Sequence, residues 1–106
     1  MNNFSDMLSK AKAMQEKMKE AQDQIKKIEV HGMSGGNLVK VTLTGDYEIK
    51  SIEITDAAKK ESQEIINDLI IAAYNNAKEN LKKKSAEELS KVTGGLNLPF
   101  DFKLPL

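Results

Sequence analysis

Eight apolar residues, Phe4, Met7, Ala11, Met14, Met18, Ala21, Ile25 and Ile28, follow one another at alternating spacings of three and four. No Gly or Pro interrupts the series. An α-helix gathers such a series on one face, and a strand does not. The stripe is narrow, and the other faces carry Lys10, Lys12, Glu16, Lys17, Lys19, Glu20, Asp23, Lys26 and Lys27. A helix with this much charge around so thin a seam cannot be buried on all sides. Residues 1–28 are therefore expected to project from a body or to pack on one neighbour. Ser5, or an Asn before it, is expected to cap the helix start.

The period then changes. Ile28 and Val30 begin a period-2 stretch that Gly32 is expected to close. Val39, Val41 and Leu43 alternate with Lys40, Thr42 and Thr44, the pattern of a half-buried strand. Gly45-Asp46 marks a tight turn. In the run from Tyr47 to Thr55, Ile49 is out of phase with Ile52 and Ile54, which predicts a bulge near Lys50-Ser51. Residues 28–55 thus read as a three-stranded antiparallel meander with exposed edges. Asp56 to Lys60 reads as a short helical turn or loop. A second long helix is expected over 61–93, with Ile65, Ile66, Leu69, Ile70, Ala72, Ala73, Ala77 and Leu81 on its apolar side. Gly94-Gly95 would end it. The tail 94–106 is apolar but holds two prolines, so it cannot form a regular helix. The fold class is α+β: long helix, three-stranded meander, long helix, extended tail.

At 106 residues the chain is one domain with a modest core, and a partner chain could bury what it leaves exposed. It has no Cys, so disulfides and thiolate metal sites are excluded. No apolar run approaches the ~20 residues needed to cross a bilayer. The N-terminus lacks a basic start followed by an apolar stretch, so a cytosolic protein without a signal peptide is expected. The formal net charge is +0, and every one of the 16 basic residues is Lys. Lys is a point charge without the planar fork of Arg, so contacts with nucleic acid would go to phosphates with weak base selectivity.

Catalysis finds no support. The glycines of HGMSGGNLVKV lack the Lys-Ser/Thr of a phosphate-binding loop, and a strand follows them where a dinucleotide fingerprint needs a helix. They read as a hairpin loop in which Gly and Asn take positive φ. His31 is the only histidine, with no nucleophile or second ligand beside it. The carboxylates lie among lysines as solvated i,i+4 partners. No cofactor, metal, membrane or small-molecule substrate is expected. The lysines Lys10, Lys12, Lys17 and Lys19 on the first helix, and Lys82, Lys83 and Lys84 on the second, read either as a solvated face or as phosphate contacts. The Met7-Met14-Met18 stripe reads as packing or as an adaptable partner surface.

Four segments together resemble the YbaB/EbfC family of bacterial nucleoid-associated proteins. They are MLSKAKAMQEKMKEAQDQI, EVHGMSGGNLVKVTLTGDYEIKSIEI, LIIAAYNNAKENLKKKSAEEL and GGLNLPFDFKLPL. The resemblance implies a homodimer that binds double-stranded DNA with little sequence preference, modulates nucleoid organisation and gene expression, and resides in the cytoplasm on the nucleoid. It implies DNA contacts at Lys10, Lys12, Lys17, Lys19, Lys82, Lys83 and Lys84. It also implies a dimer body built from the strands and part of the second helix, here Val39, Val41, Leu43, Ile66, Leu69, Ile70 and Ala73. The chain departs from the family by lacking Arg on those helices. It also has Leu98-Pro99-Phe100-Asp101 where two prolines and a glycine are common. The alternative reading is a protein-interaction adaptor that uses the Met-rich first helix and binds no nucleic acid.

Overall fold

The structure, a computed structural model, describes residues 2–93. The expected stop at Gly94-Gly95 and the tail 94–106 lie outside the described residues. Helix α1 (Asn2–Lys26) leads into strands β1 (Glu29–Ser34), β2 (Val39–Thr44) and β3 (Ile49–Ile54). The short α2 (Asp56–Lys59) and the long α3 (Gln63–Thr93) follow. Thr55 caps α2, its Oγ1 accepting from Ala58 N at 3.3 Å. Ser62 caps α3 in the same way, its Oγ accepting from Ile65 N at 3.3 Å.

The strands pair antiparallel in the order β1-β2-β3, the expected meander. Thr42 pairs with Ser51 and Leu43 with Ile49, which leaves Lys50 as the bulged residue. The out-of-phase Ile49 is thereby returned to the face of Ile52 and Ile54. The hairpin between β1 and β2 takes positive φ at Gly35 (61°), Gly36 (63°) and Asn37 (78°). The Gly-rich stretch is a turn, as its lack of a following helix predicts.

One glycine behaves differently from expectation. Gly32 does not close β1. It lies inside the strand, buried, opposite Val41, and β1 runs on to Ser34. A Cβ built at Gly32 would overlap the backbone of Ala73 and Ala77, so the missing side chain is what lets α3 lie directly on the strand. Gly45 likewise sits against the Ile25 carbonyl at the end of α1. The left-handed residue of that turn is Tyr47 (φ 64°).

The inner face of the sheet carries Val30, Val39, Val41 and Leu43. With Ala58, Ala73, Ala77 and Leu81 they form the buried core. Each large side chain removed from water here contributes about 1.5–3 kcal/mol. Helix α3 packs on β1 and β2. It leaves the inner face of β3 open, with Ile49 and Ile52 49% and 42% exposed.

Candidate nucleic-acid interface

The two long helices leave the body together as an antiparallel arm. The body end of their contact is fixed by Lys26, Gly45 and Lys82, and the outer end by Gln22 and Leu89, all lining one cleft of about 520 Å³. Ala21 and Ile25 are buried there, whereas Phe4 and Met7 further out are 69% and 68% exposed. The seam of α1 is thus used at its C-terminal end and left open at its N-terminal end. The described chain is a rod, 71 × 23 × 18 Å. The projecting helix expected from the narrow stripe is present.

Lys10, Lys12, Lys17 and Lys19 are exposed along α1, and Lys82, Lys83 and Lys84 are exposed near the base of the arm on α3. Among the described residues only Lys82 of these seven has a carboxylate within ion-pair reach, Glu79 at 3.9 Å. A surface pair of this kind contributes at most about 1 kcal/mol and holds the lysine loosely. The helical ion pairs that do form, Lys59–Asp56, Lys82–Glu79 and Lys91–Glu88, are spaced i,i+3 where i,i+4 was expected.

The two lysine sets are not one cluster. Along α1, Lys10 lies about 24 Å from Lys26. Lys26 is the link that sequence reasoning passed over. It continues Lys12 and Lys19 at spacings of seven, hence on one helix face, and lines the same cleft as Lys82. The heptad interval was the available signal.

On the sheet, α3 also closes the free edge of β1. Asn76 Oδ1 accepts from Met33 N at 3.0 Å, and Asn80 Nδ2 donates to His31 O at 2.8 Å. The two asparagines, one helical turn apart, occupy strand positions that another chain would otherwise pair with. Ser34 Oγ donates to Leu69 O at 2.6 Å and anchors the other end of the strand. Val39, Val41, Leu43 and Ala73 are wholly buried within one chain. Ile66, Leu69 and Ile70 are half-buried. The large apolar side chains open to solvent on the body are Met33, Tyr47, Ile49, Ile52, Ile65 and Ile71.

His31 is exposed on the outer sheet face, with Nδ1 2.9 Å from Thr42 Oγ1. Nearby, Lys50 forms a hydrogen-bonded ion pair with Glu29 across the sheet. That hydrogen bond, and then the charge of Lys50, hold the Glu29 carboxyl below its ordinary value of 4.5. No set of His, Cys, Asp and Glu among the described residues is arranged to hold a metal ion.

A small sheet-and-helix body that carries a solvent-exposed, lysine-edged helical arm has the form of a binder of a polyanion. The sequence matches the YbaB/EbfC DNA-binding family over residues 1–96, and the chain belongs to that family. It is 42% identical over 106 residues to a nucleoid-associated protein of Bartonella bacilliformis, covering 99% of this chain and 98% of the relative. It is 41% identical to nucleoid-associated proteins of Rickettsia canadensis and of Granulibacter bethesdensis, each over 99% of both chains. No helix among the described residues is long and apolar enough to cross a membrane.

Proposed function

We propose that the protein binds double-stranded DNA as a homodimer, with weak sequence preference, and so acts on nucleoid organisation and gene expression. The observation that carries this reading is the arm. Six of its seven candidate lysines have no carboxylate partner among the described residues, and all are exposed on helices that the body does not cover. A lysine track about 24 Å long runs beside several successive phosphates, which repeat every ~3.4 Å along each strand. Lysines without arginines favour backbone contact over the reading of base edges. In this reading the protein sits on the nucleoid and needs no cofactor, small-molecule substrate or catalytic group.

The dimer is supported by the open side of the body. Edge β1 is closed by Asn76 and Asn80, while β3 offers both an edge and the exposed Ile49 and Ile52. A twofold contact through β3 buries this surface and doubles the arms.

Duplex affinity measured across a salt series tests the reading, with native mass measured on the same sample. Affinity is expected to fall by about 0.9 log unit per log unit of salt for each phosphate neutralised. Lys10/Lys12/Lys17→Glu should bind at least about tenfold more weakly, with a shallower slope. Equal affinity in the two proteins, or no salt dependence, refutes DNA binding through the arm. Absence of DNA binding together with one stoichiometric protein partner would establish the adaptor reading in its place.

A further inference from the structure

The cleft at the base of the arm has the make-up of a small-molecule site. Its volume, about 520 Å³, falls within the range of about 300–1,000 Å³ usual for such sites. Three elements wall it: the end of α1, the turn between β2 and β3, and the C-terminal half of α3. Ile25, Ala86 and Leu89 give it an apolar stretch. Lys26 and Lys82 stand at its body end, beside Asp46 and Tyr47 of the turn. Both lysines are exposed. Among the described residues Lys26 has no carboxylate within ion-pair reach, and Lys82 has only Glu79, at 3.9 Å.

The turn supplies a second, independent observation. Tyr47 has φ 64°, a left-handed conformation that a bulky residue rarely adopts. Thr44 imposes it. The Thr44 carbonyl accepts from Tyr47 N at 3.0 Å, and Thr44 Oγ1 accepts from Asp46 N and Glu48 N, each at 3.3 Å. A glycine at position 47 would meet this geometry without strain. The chain places a tyrosine there instead, and that tyrosine lines the cleft. Backbone strain held in place by its surroundings, at a residue lining a cavity, points to a use for the side chain. An aromatic wall, an apolar floor and two ammonium groups at one end suit a molecule with an anionic group on a flat apolar body. Asp46 is the one acid in the lining, so cations outnumber anions there. A cationic ligand would meet both lysines, and a wholly apolar one would leave them unused.

We propose that this cleft binds a small amphipathic anion, a carboxylate, sulfonate or phosphate group joined to an aromatic body. The anionic group lies between Lys26 and Lys82. The aromatic body lies between Tyr47 and the stretch of Ile25, Ala86 and Leu89. The occupant is bound and not transformed. It bridges α1, α3 and the turn, and so stiffens the base of the arm. This inference does not depend on DNA binding.

Fluorescence titration of the full chain with anilinonaphthalene sulfonate tests it, with amide NMR to locate the probe. The uncharged N-phenylnaphthylamine is titrated beside it. The anion should bind, with its largest shifts at Ile25, Tyr47 and Ala86. Lys26→Gln/Lys82→Gln should weaken the anion about tenfold and the neutral probe by less than about twofold. Ala86→Leu, which fills the cleft, should abolish binding of both. If that variant fails to fold, the lysine variant decides, because its changes lie on the surface. Absence of anion binding overturns the proposal. So do largest shifts at Phe4 and Met7 or at Ile49 and Ile52, which would assign the probe to another exposed apolar surface. So does an anion affinity that the lysine change leaves unaltered.

Discussion

Replacing Gly32 by Ala should damage the body more than any other single-methyl change in the sheet. The obstructing atoms are the carbonyl oxygen of Ala73 and the backbone N and Cα of Ala77. They are main-chain atoms inside a helix, so no rotamer change relieves the overlap, and Ala77→Gly does not rescue it. Helix α3 must back away by on the order of 1 Å to restore ordinary carbon contact distances. A gap of that size forfeits a quarter to a half of each dispersion contact between α3 and the sheet. The side chains affected include Val39, Val41, Leu43 and Leu81, all with no exposed surface. Overpacking of this kind costs about 2–4 kcal/mol. Removing a strand glycine returns about 0.5–1 kcal/mol. The net loss, about 1.5–3 kcal/mol, corresponds to a fall in Tm of roughly 10–20 °C for a chain of this size.

Thermal unfolding followed by circular dichroism measures the effect, with both proteins at one chain concentration. Gly36→Ala is the control. Nothing lies within 4 Å of a Cβ there, so only its left-handed φ of 63° is strained. That strain costs about 1 kcal/mol, or roughly 4–8 °C. If Gly32→Ala melts within about 3 °C of the natural protein, or no lower than Gly36→Ala, the close helix–strand contact is not what Gly32 provides.

Two further outcomes follow from the sheet. Asn76→Ala/Asn80→Ala should change stability by less than about 1 kcal/mol, because two exposed hydrogen bonds are lost while helix propensity rises. It should nevertheless form larger assemblies in sedimentation velocity, since the β1 edge is then free; an unchanged distribution would show that the asparagines do not guard that edge. The lowered Glu29 value means that its pairing with Lys50 supports the fold above the ordinary carboxylate value of 4.5 and is lost as pH falls through the depressed folded-state value. Lys50→Met should therefore move the Glu29 titration midpoint, followed by carboxyl NMR, upward toward 4.5, and an unmoved midpoint would refute the attribution.

How much of this was legible in the sequence depends on whether one element or two had to be known. The α1 seam, the bulge at Lys50 and the positive φ values at Gly35, Gly36 and Asn37 are local properties, and periodicity and turn chemistry reveal them. Gly32 was read as a strand end because glycine is a poor strand former. Its actual use depends on Ala73 and Ala77, forty residues away, and no local pattern reports that contact. The alternation of Val39, Val41 and Leu43 predicts a buried face, and α3 of the same chain covers it. Conversely, Ile52 alternates as the covered residues do and Ile49 joins its face through the bulge, yet the lateral placement of α3 over β1 and β2 leaves both exposed. Asn76 and Asn80 belong to no motif in the sequence. Their four-residue spacing matches a strand edge only once α3 is known to lie beside β1.

The continuity of α3 bears on how the arm can act. Its residues from Gln63 to Thr93 contain no Gly or Pro, so nothing between the sheet and the distal lysines can serve as a hinge. The direction of the arm is set where Ala73 and Ala77 rest on Gly32, and it is held a second time where Gly45 admits the end of α1. In the proposed dimer the separation of the two arms is therefore fixed by the bodies. A duplex meeting Lys82, Lys83 and Lys84 must conform to that separation, which favours DNA that bends or shifts easily over DNA of a given sequence. Any adaptation on the protein side falls to the outer half of α1, where α3 has ended. Lys10, Lys12 and Lys17 lie there. Neutralising them should alter affinity across duplexes alike, whereas loosening the base of the arm should alter how sharply DNA is bent.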